Sequence, residues 1–278
     1  MRKAFNIILY IFAAIGFILV IAYVAVELGL TKTAGIIDTQ HDYFKDQLDR
    51  PAKAIQSSST TPDLAWQNGE EWQVLKEAIA NDQTSIKAAA TKAGISPRLI
   101  VSILIVEQLR LFHSDREIFK TAFAPLKILG NQSQFSWGVM GIKQDTARRI
   151  EDNLHNAASP WYLGLEFSRI LDYSATTTSL DSERFNRLTD ENSRYYSYLY
   201  SALYVKEIET QWQKTGFPIS NNVGVLATLF NIGFIHSHPN DRPQIGGAKI
   251  EIGDSKYSFG GLAQAFYYSD QLLDIFPR

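Results

Sequence analysis

From Leu99 to Val106 the chain reads Leu-Ile-Val-Ser-Ile-Leu-Ile-Val, and it then meets Glu107. This segment constrains the fold more than any other. A helix that is apolar on nearly every side belongs inside a core, not on a surface. Its start is marked locally. Gly94 stops the preceding helix, Ser96 can cap, and Pro97 suits the first helical position. Glu107 therefore falls where a core meets a cleft. Burial disfavours a charged carboxylate and raises its pKa, which keeps a carboxylic acid able to donate a proton near neutral pH. A second reading stands beside this one. Arg110 follows three residues later on the same helix face and can simply pair with Glu107.

With 278 residues the chain has room for one large domain or two small ones. Its net charge of -2 gives no sign of a nucleic-acid partner or an acidic tail. The absence of cysteine excludes disulfides, thiol catalysis and cysteine-ligated metals, and leaves the compartment open. The first residues stand apart. Arg2 and Lys3 precede an uncharged stretch, 4–26, that closes at Glu27. It is long enough to cross a bilayer, for which about 20 apolar residues suffice. A cleaved signal peptide is the competing reading, but its apolar region would run only roughly 7–15 residues to a small-x-small site. Ala22-Tyr23-Val24-Ala25 has the wrong spacing for that site. The expectation is one N-terminal transmembrane helix. Arg2 and Lys3 keep the N-terminus in the cytoplasm. In a bacterial cell the remaining chain would then lie on the periplasmic side of the inner membrane.

The expected organisation is an anchor over 1–30, a juxtamembrane segment and linker over 31–70, and a folded domain over 71–278. The linker contains Gln56-Ser57-Ser58-Ser59-Thr60-Thr61-Pro62, preceded by a short helix over 39–48. Helical spacing begins at Trp72-Val74-Leu75-Ala78-Ile79. Further helices are predicted over 85–92, 143–154, 161–173, 194–212, 223–230 and 262–273. Between the last two the apolar period changes to two. Ile250 and Ile252 alternate, Gly253-Asp254-Ser255 turns the chain, and Tyr257 and Phe259 alternate again, which predicts a β-hairpin. The fold class is mainly α with one small C-terminal hairpin.

Three segments form an ordered set. They are Ile95–Glu107, then Gly138-Val139-Met140-Gly141-Ile142-Lys143-Gln144-Asp145-Thr146-Ala147, then Ala227-Thr228-Leu229-Phe230-Asn231-Ile232-Gly233. The set resembles the lytic transglycosylase and goose-type lysozyme superfamily over roughly residues 84–235. In that family a helix ends in a catalytic Glu-Ser. A Gly-Leu-Met-Gln-Ile-x-Pro-x-Thr-Ala segment follows, and later a Tyr-Asn-x-Gly. This chain departs from the pattern at Gln108 for the Ser, Gly141 for the Gln, Gln144 for the Pro and Phe230 for the Tyr. The stretch between Glu107 and Gly138 is also longer than is usual there.

The resemblance implies a lysozyme-like fold and cleavage of the MurNAc-GlcNAc bond of peptidoglycan with no cofactor and no metal. Glu107 would protonate the leaving oxygen and then serve as base on the sugar's own 6-hydroxyl, giving a 1,6-anhydro product. It also implies that Ser136 and the backbone of Gly138 to Gly141 line one wall of the cleft, that Met140 packs near the acid, and that Asn231 orients a sugar amide or the acid. Phe230 would lie beside the sugar. Helix-end capping is the plainer role for Asn231, and core filling the plainer role for Met140. Tyr200, Tyr204, Tyr267 and Tyr268 are candidates for stacking on sugar faces, Tyr204 foremost, against a plain core role. Asp145 and Glu151, on a helix expected to be exposed, are the nearest candidates for a second carboxylate. His236-Ser237-His238 could bind a metal, although two histidines without a third ligand suit a loop better. Phosphate-loop, dinucleotide and nucleophile-elbow motifs are absent from the sequence. The losses at Gly141 and Phe230 keep one alternative alive, a weakened glycan-binding module with protein partners in a cell-envelope assembly.

Overall fold

The computed structural model describes residues 65–68, 70–112, 136–190, 192–252 and 255–278. The expected membrane span, the linker, the helix over 39–48 and most of the stretch between Glu107 and Gly138 lie outside the described residues. Among those described, no helix is long and apolar enough to cross a membrane.

The architecture is mainly helical: α1 (Glu70–Asn81), α2 (Gln83–Ala93), α3 (Pro97–Phe112), α4 (Gln144–His155), α5 (Leu180–Thr189), α6 (Tyr195–Lys214), α7 (Val223–Ile232) and α8 (Phe259–Tyr268). Two short antiparallel hairpins punctuate it. The first pairs β1 (Ser136–Trp137) with β2 (Ile142–Lys143), and the second pairs β3 (Lys249–Ile252) with β4 (Ser255–Ser258). In the second hairpin Ile250 faces Tyr257 and Glu251 faces Lys256, matching the period-two pattern.

The apolar run behaves as its composition demands. Every side chain from Leu99 to Val106 is buried. The turn into α3 forms as the local signals predict. Gly94 takes a left-handed φ of 69°, and its N–H and that of Ile95 close back onto α2. Packed around α3 are α1, α2, α6, α7 and α8. Along α6 lies α2, tied by Asp82, which accepts from Tyr198 Oη at 2.5 Å and Arg194 Nη1 at 3.0 Å.

The C-terminal end is clamped by one side chain. Arg98 is fully buried and spends its guanidinium donors on five main-chain carbonyls, those of Phe266, Tyr267, Ser269, Gln271 and Phe276. Burial lowers its pKa, as does Arg278 nearby. The carbonyls at the C-terminal end of α8 offer the partial negative charge a buried cation needs.

One expected helix does not form. Residues 161–173 run as turns with a single 3-10 turn, Leu165–Phe167. Gly164 sits at a φ of 119°, outside helical space, and Leu165 is 82% exposed, so the apolar spacing never becomes one buried face. One helix was not anticipated. Ser179 caps α5 by accepting from the Ser182 N–H at 3.3 Å.

Candidate functional site around Glu107

Glu107 stands near the C-terminal end of α3, only 3% exposed. Its Oε2 accepts from Arg110 Nη2 at 2.5 Å, so the pairing read from their spacing is present. The next residue does something the sequence did not signal. Gln108 Nε2 donates to the main-chain carbonyl of Val139 at 2.6 Å. That bond ties the acid-bearing helix to the glycine turn, although Gln replaces the Ser of the resembled pattern.

The turn is a built feature. Ser136 and Trp137 pair with Lys143 and Ile142, and Gly138 to Gly141 reverse the chain, with Gly141 N–H donating to Gly138 O at 3.2 Å. Both glycines hold left-handed φ, 65° and 63°. A Cβ on Gly138 would stand 2.1 Å from the carbonyl oxygen of Leu188, so α5 fits against the turn only because that residue is glycine. Met140 is completely buried and fills core. Gln144, at the start of α4, is buried, and both its amide atoms lack a hydrogen-bond partner among the described residues. Such orphaned polar groups cost stability and are concentrated where a protein has a reason to keep them.

The third segment forms a separate cluster. Tyr204 packs against Phe230 at 5.1 Å and against Phe234 at 4.4 Å between ring centres. It is 2% exposed, and burial pushes its pKa up. Stacking of Tyr204 on a sugar is therefore corrected: its ring is in the core, and Phe230 is buried beside it. Asn231 Oδ1 accepts from the Ala248 N–H at 2.8 Å, which fastens the chain ahead of the second hairpin to the end of α7. Among the described residues neither Tyr204 nor Asn231 has a hydrogen bond to Glu107. Their helices, α6 and α7, both pack against α3.

The other candidates also find places. Tyr200 is fully buried, with its hydroxyl on Glu151. Tyr267 lines a cavity of about 280 Å³ with Gly94, Ser96, Leu99 and Glu209, at the opposite end of α3 from Glu107. Tyr268 is half exposed and stacks edge-on with Tyr267. Asp145 is exposed. Glu151 is not, contrary to expectation. Arg184 grips both its oxygens, at 2.8 and 2.5 Å, and Tyr173 and Tyr200 donate to it as well. A carboxylate so saturated holds α4, α5 and α6 together and has nothing left to offer a substrate. In the His236-Ser237-His238 segment Ser237 does the visible work, accepting from Trp212 Nε1 and donating to Gln211 Oε1. Among the described residues no three metal-ligating side chains converge.

Sequence reasoning missed Arg184, which rides on the unanticipated α5, and the Gln108 link. The α5 signal was legible in Ser179 followed by Asp181 and Glu183. The Gln108 link had none.

Comparison of the chain with protein-family models, with curated proteins and with solved structures returns no match.

Proposed function

We propose that the chain is a peptidoglycan-cleaving enzyme, a lytic transglycosylase or a lysozyme-like muramidase, with a lysozyme-like helical domain held at the inner membrane. Glu107 is its acid and base and attacks the MurNAc-GlcNAc bond of glycan strands. Residues 4–26 anchor it as a single span, N-terminus in the cytoplasm and domain in the periplasm. The observation that carries the reading is Glu107 itself: a carboxyl at the end of the buried run from Leu99 to Val106, on a helix fastened through Gln108 to a glycine turn. A single acid suits the chemistry. It protonates the leaving oxygen, and the substrate's own 6-hydroxyl or a water completes the cleavage. Backbone at Gly138 to Gly141 can approach a sugar closely because no Cβ intervenes.

A specific observation favours the second reading, a glycan-binding module in an envelope assembly. Glu107 is paired with Arg110 at 2.5 Å, and Tyr204 and Phe230 are closed into the core.

Digestion of purified peptidoglycan by the full chain, read by mass spectrometry, separates the two. Fragments ending in 1,6-anhydro sugars identify a lytic transglycosylase, and reducing ends a hydrolase. Glu107→Gln should cut release by at least about a hundredfold, the scale of general acid catalysis. Wall binding without fragments from the folded wild type would leave only the binding module.

A further inference from the structure

The Glu107–Arg110 pair is incomplete on the arginine side. Arg110 Nη2 donates to Glu107 Oε2, while Nε of the same guanidinium is buried with no hydrogen-bond partner among the described residues. An arginine fork is built to place those two donors on the two oxygens of one carboxylate. Glu107 occupies half of that edge. The side chain of Arg110 is 15% exposed and that of Glu107 only 5%, so the arginine is the more accessible member of the pair, and its buried Nε becomes available once Glu107 moves off the fork.

We infer that Arg110 is a latch that reads a carboxylate on the glycan: the free protein holds Glu107 on it, and a substrate carboxylate takes both donors of the fork and releases the acid. The inference rests on the glycan reading and adds to it a specificity-determining residue. The ligand class is a glycan bearing a carboxylate beside the bond to be cut, such as the lactyl group of muramic acid. The exchange is chemically balanced. The guanidinium trades one partial contact with Glu107 for two parallel hydrogen bonds to the substrate. Glu107, no longer paired, is free to turn its carboxyl toward the leaving oxygen. A neutral glycan offers nothing to draw Arg110 away, so the acid stays held. Gln108 keeps its neighbour in place during the exchange, because its bond to Val139 O does not involve the pair.

The test uses the full chain and two probes: peptide-free glycan strands with free lactyl carboxylates, and the same strands with those carboxylates reduced to alcohols. Affinity for each is titrated for wild type, Glu107→Gln and the double variant Glu107→Gln/Arg110→Met. The double variant removes both charges, so it leaves no buried charge unpaired; thermal unfolding confirms that each variant is folded. Wild type should prefer the acidic strands by about tenfold. Glu107→Gln leaves a neutral amide oxygen, a weaker acceptor, on the fork and should bind the acidic strands a further five- to tenfold more tightly, with the reduced strands unchanged. The double variant should show no preference. A double variant that keeps the preference, or a Glu107→Gln protein with unchanged affinity for acidic strands, overturns the latch. Strand cleavage by wild type is scored on the same samples. Preference lost in the double variant without any cleavage sinks the enzyme reading and leaves the latch. Cleavage without preference sinks the latch alone, and binding of neither strand sinks both.

Discussion

A glutamate taken out of water must be paired, networked or neutral, and this chain shows all three. Glu107 has one arginine. Glu151 has an arginine and two tyrosines, and burial together with its hydrogen bond pushes the Tyr173 hydroxyl up to about 12. Glu207 has no cation among the described residues. It is fully buried on α6, its Oε2 accepts from Asn153 Nδ2 at 2.8 Å, and Oε1 has no partner among those residues. Burial holds its pKa well above the ordinary value of 4.5, so the folded protein holds that proton to higher pH than the unfolded chain does. The unfolded chain gives that proton up once the pH passes 4.5. From there to the folded value the native state binds more protons, so stability falls as pH rises, by up to about 1.4 kcal/mol per unit. Glu207→Gln removes that slope. Urea midpoints measured from pH 5 to pH 8 should show the variant gaining steadily on wild type; parallel curves would mean that Glu207 is ionised in the fold. The burial of Glu207 was not legible in the sequence, where it is one more charge in Lys206-Glu207-Ile208-Glu209.

At the scale of elements, local signals served well where they were complete. Gly94, Ser96 and Pro97 announced the start of α3, and alternating Ile250, Ile252 and Tyr257 announced the second hairpin. They failed where the backbone does not carry an apolar pattern as a helix. The run from Trp161 to Tyr173 has helical spacing, but Gly164 breaks its backbone and Trp161 turns instead to pack on Phe234 at 5.2 Å. The glycine turn is the element whose failure should be felt most at the site. Gly138→Ala meets both a left-handed φ and the Leu188 carbonyl. It should destabilise the domain by about 1–3 kcal/mol, as strained and crowded backbone positions do. It should also shift α5 away from β1, visible as faster amide exchange over Leu180–Thr189. Gly94→Ala, where nothing crowds the added Cβ, should cost less than Gly138→Ala in the same thermal-unfolding measurement.

For the whole molecule, the helix that dominates the sequence is also where the two ends of the domain meet. Arg98 at its start holds residues as far on as Phe276, while Gln108 near its other end ties it to the glycine turn. Arg98→Met should remove one donor from each of five carbonyls and cost about 3–5 kcal/mol, the range for breaking a buried charged network. Denaturant unfolding gives the loss, and exchange should show residues 266–278 released first. The sequence by itself determined that the chain is mainly helical, that one helix is buried on all sides, and where that helix begins, because caps and apolar periods are contests among neighbours three and four residues apart. It also placed Glu107 on the helix face it shares with Arg110. Only the tertiary structure decided what each charge meets. Arg98 reaches across more than 160 residues, Arg184 reaches Glu151 from a helix the pattern did not reveal, and Tyr204 turned from a candidate surface into core. Those outcomes depend on which helices pack together, and a buried polar group takes whatever partner that packing brings within hydrogen-bond reach.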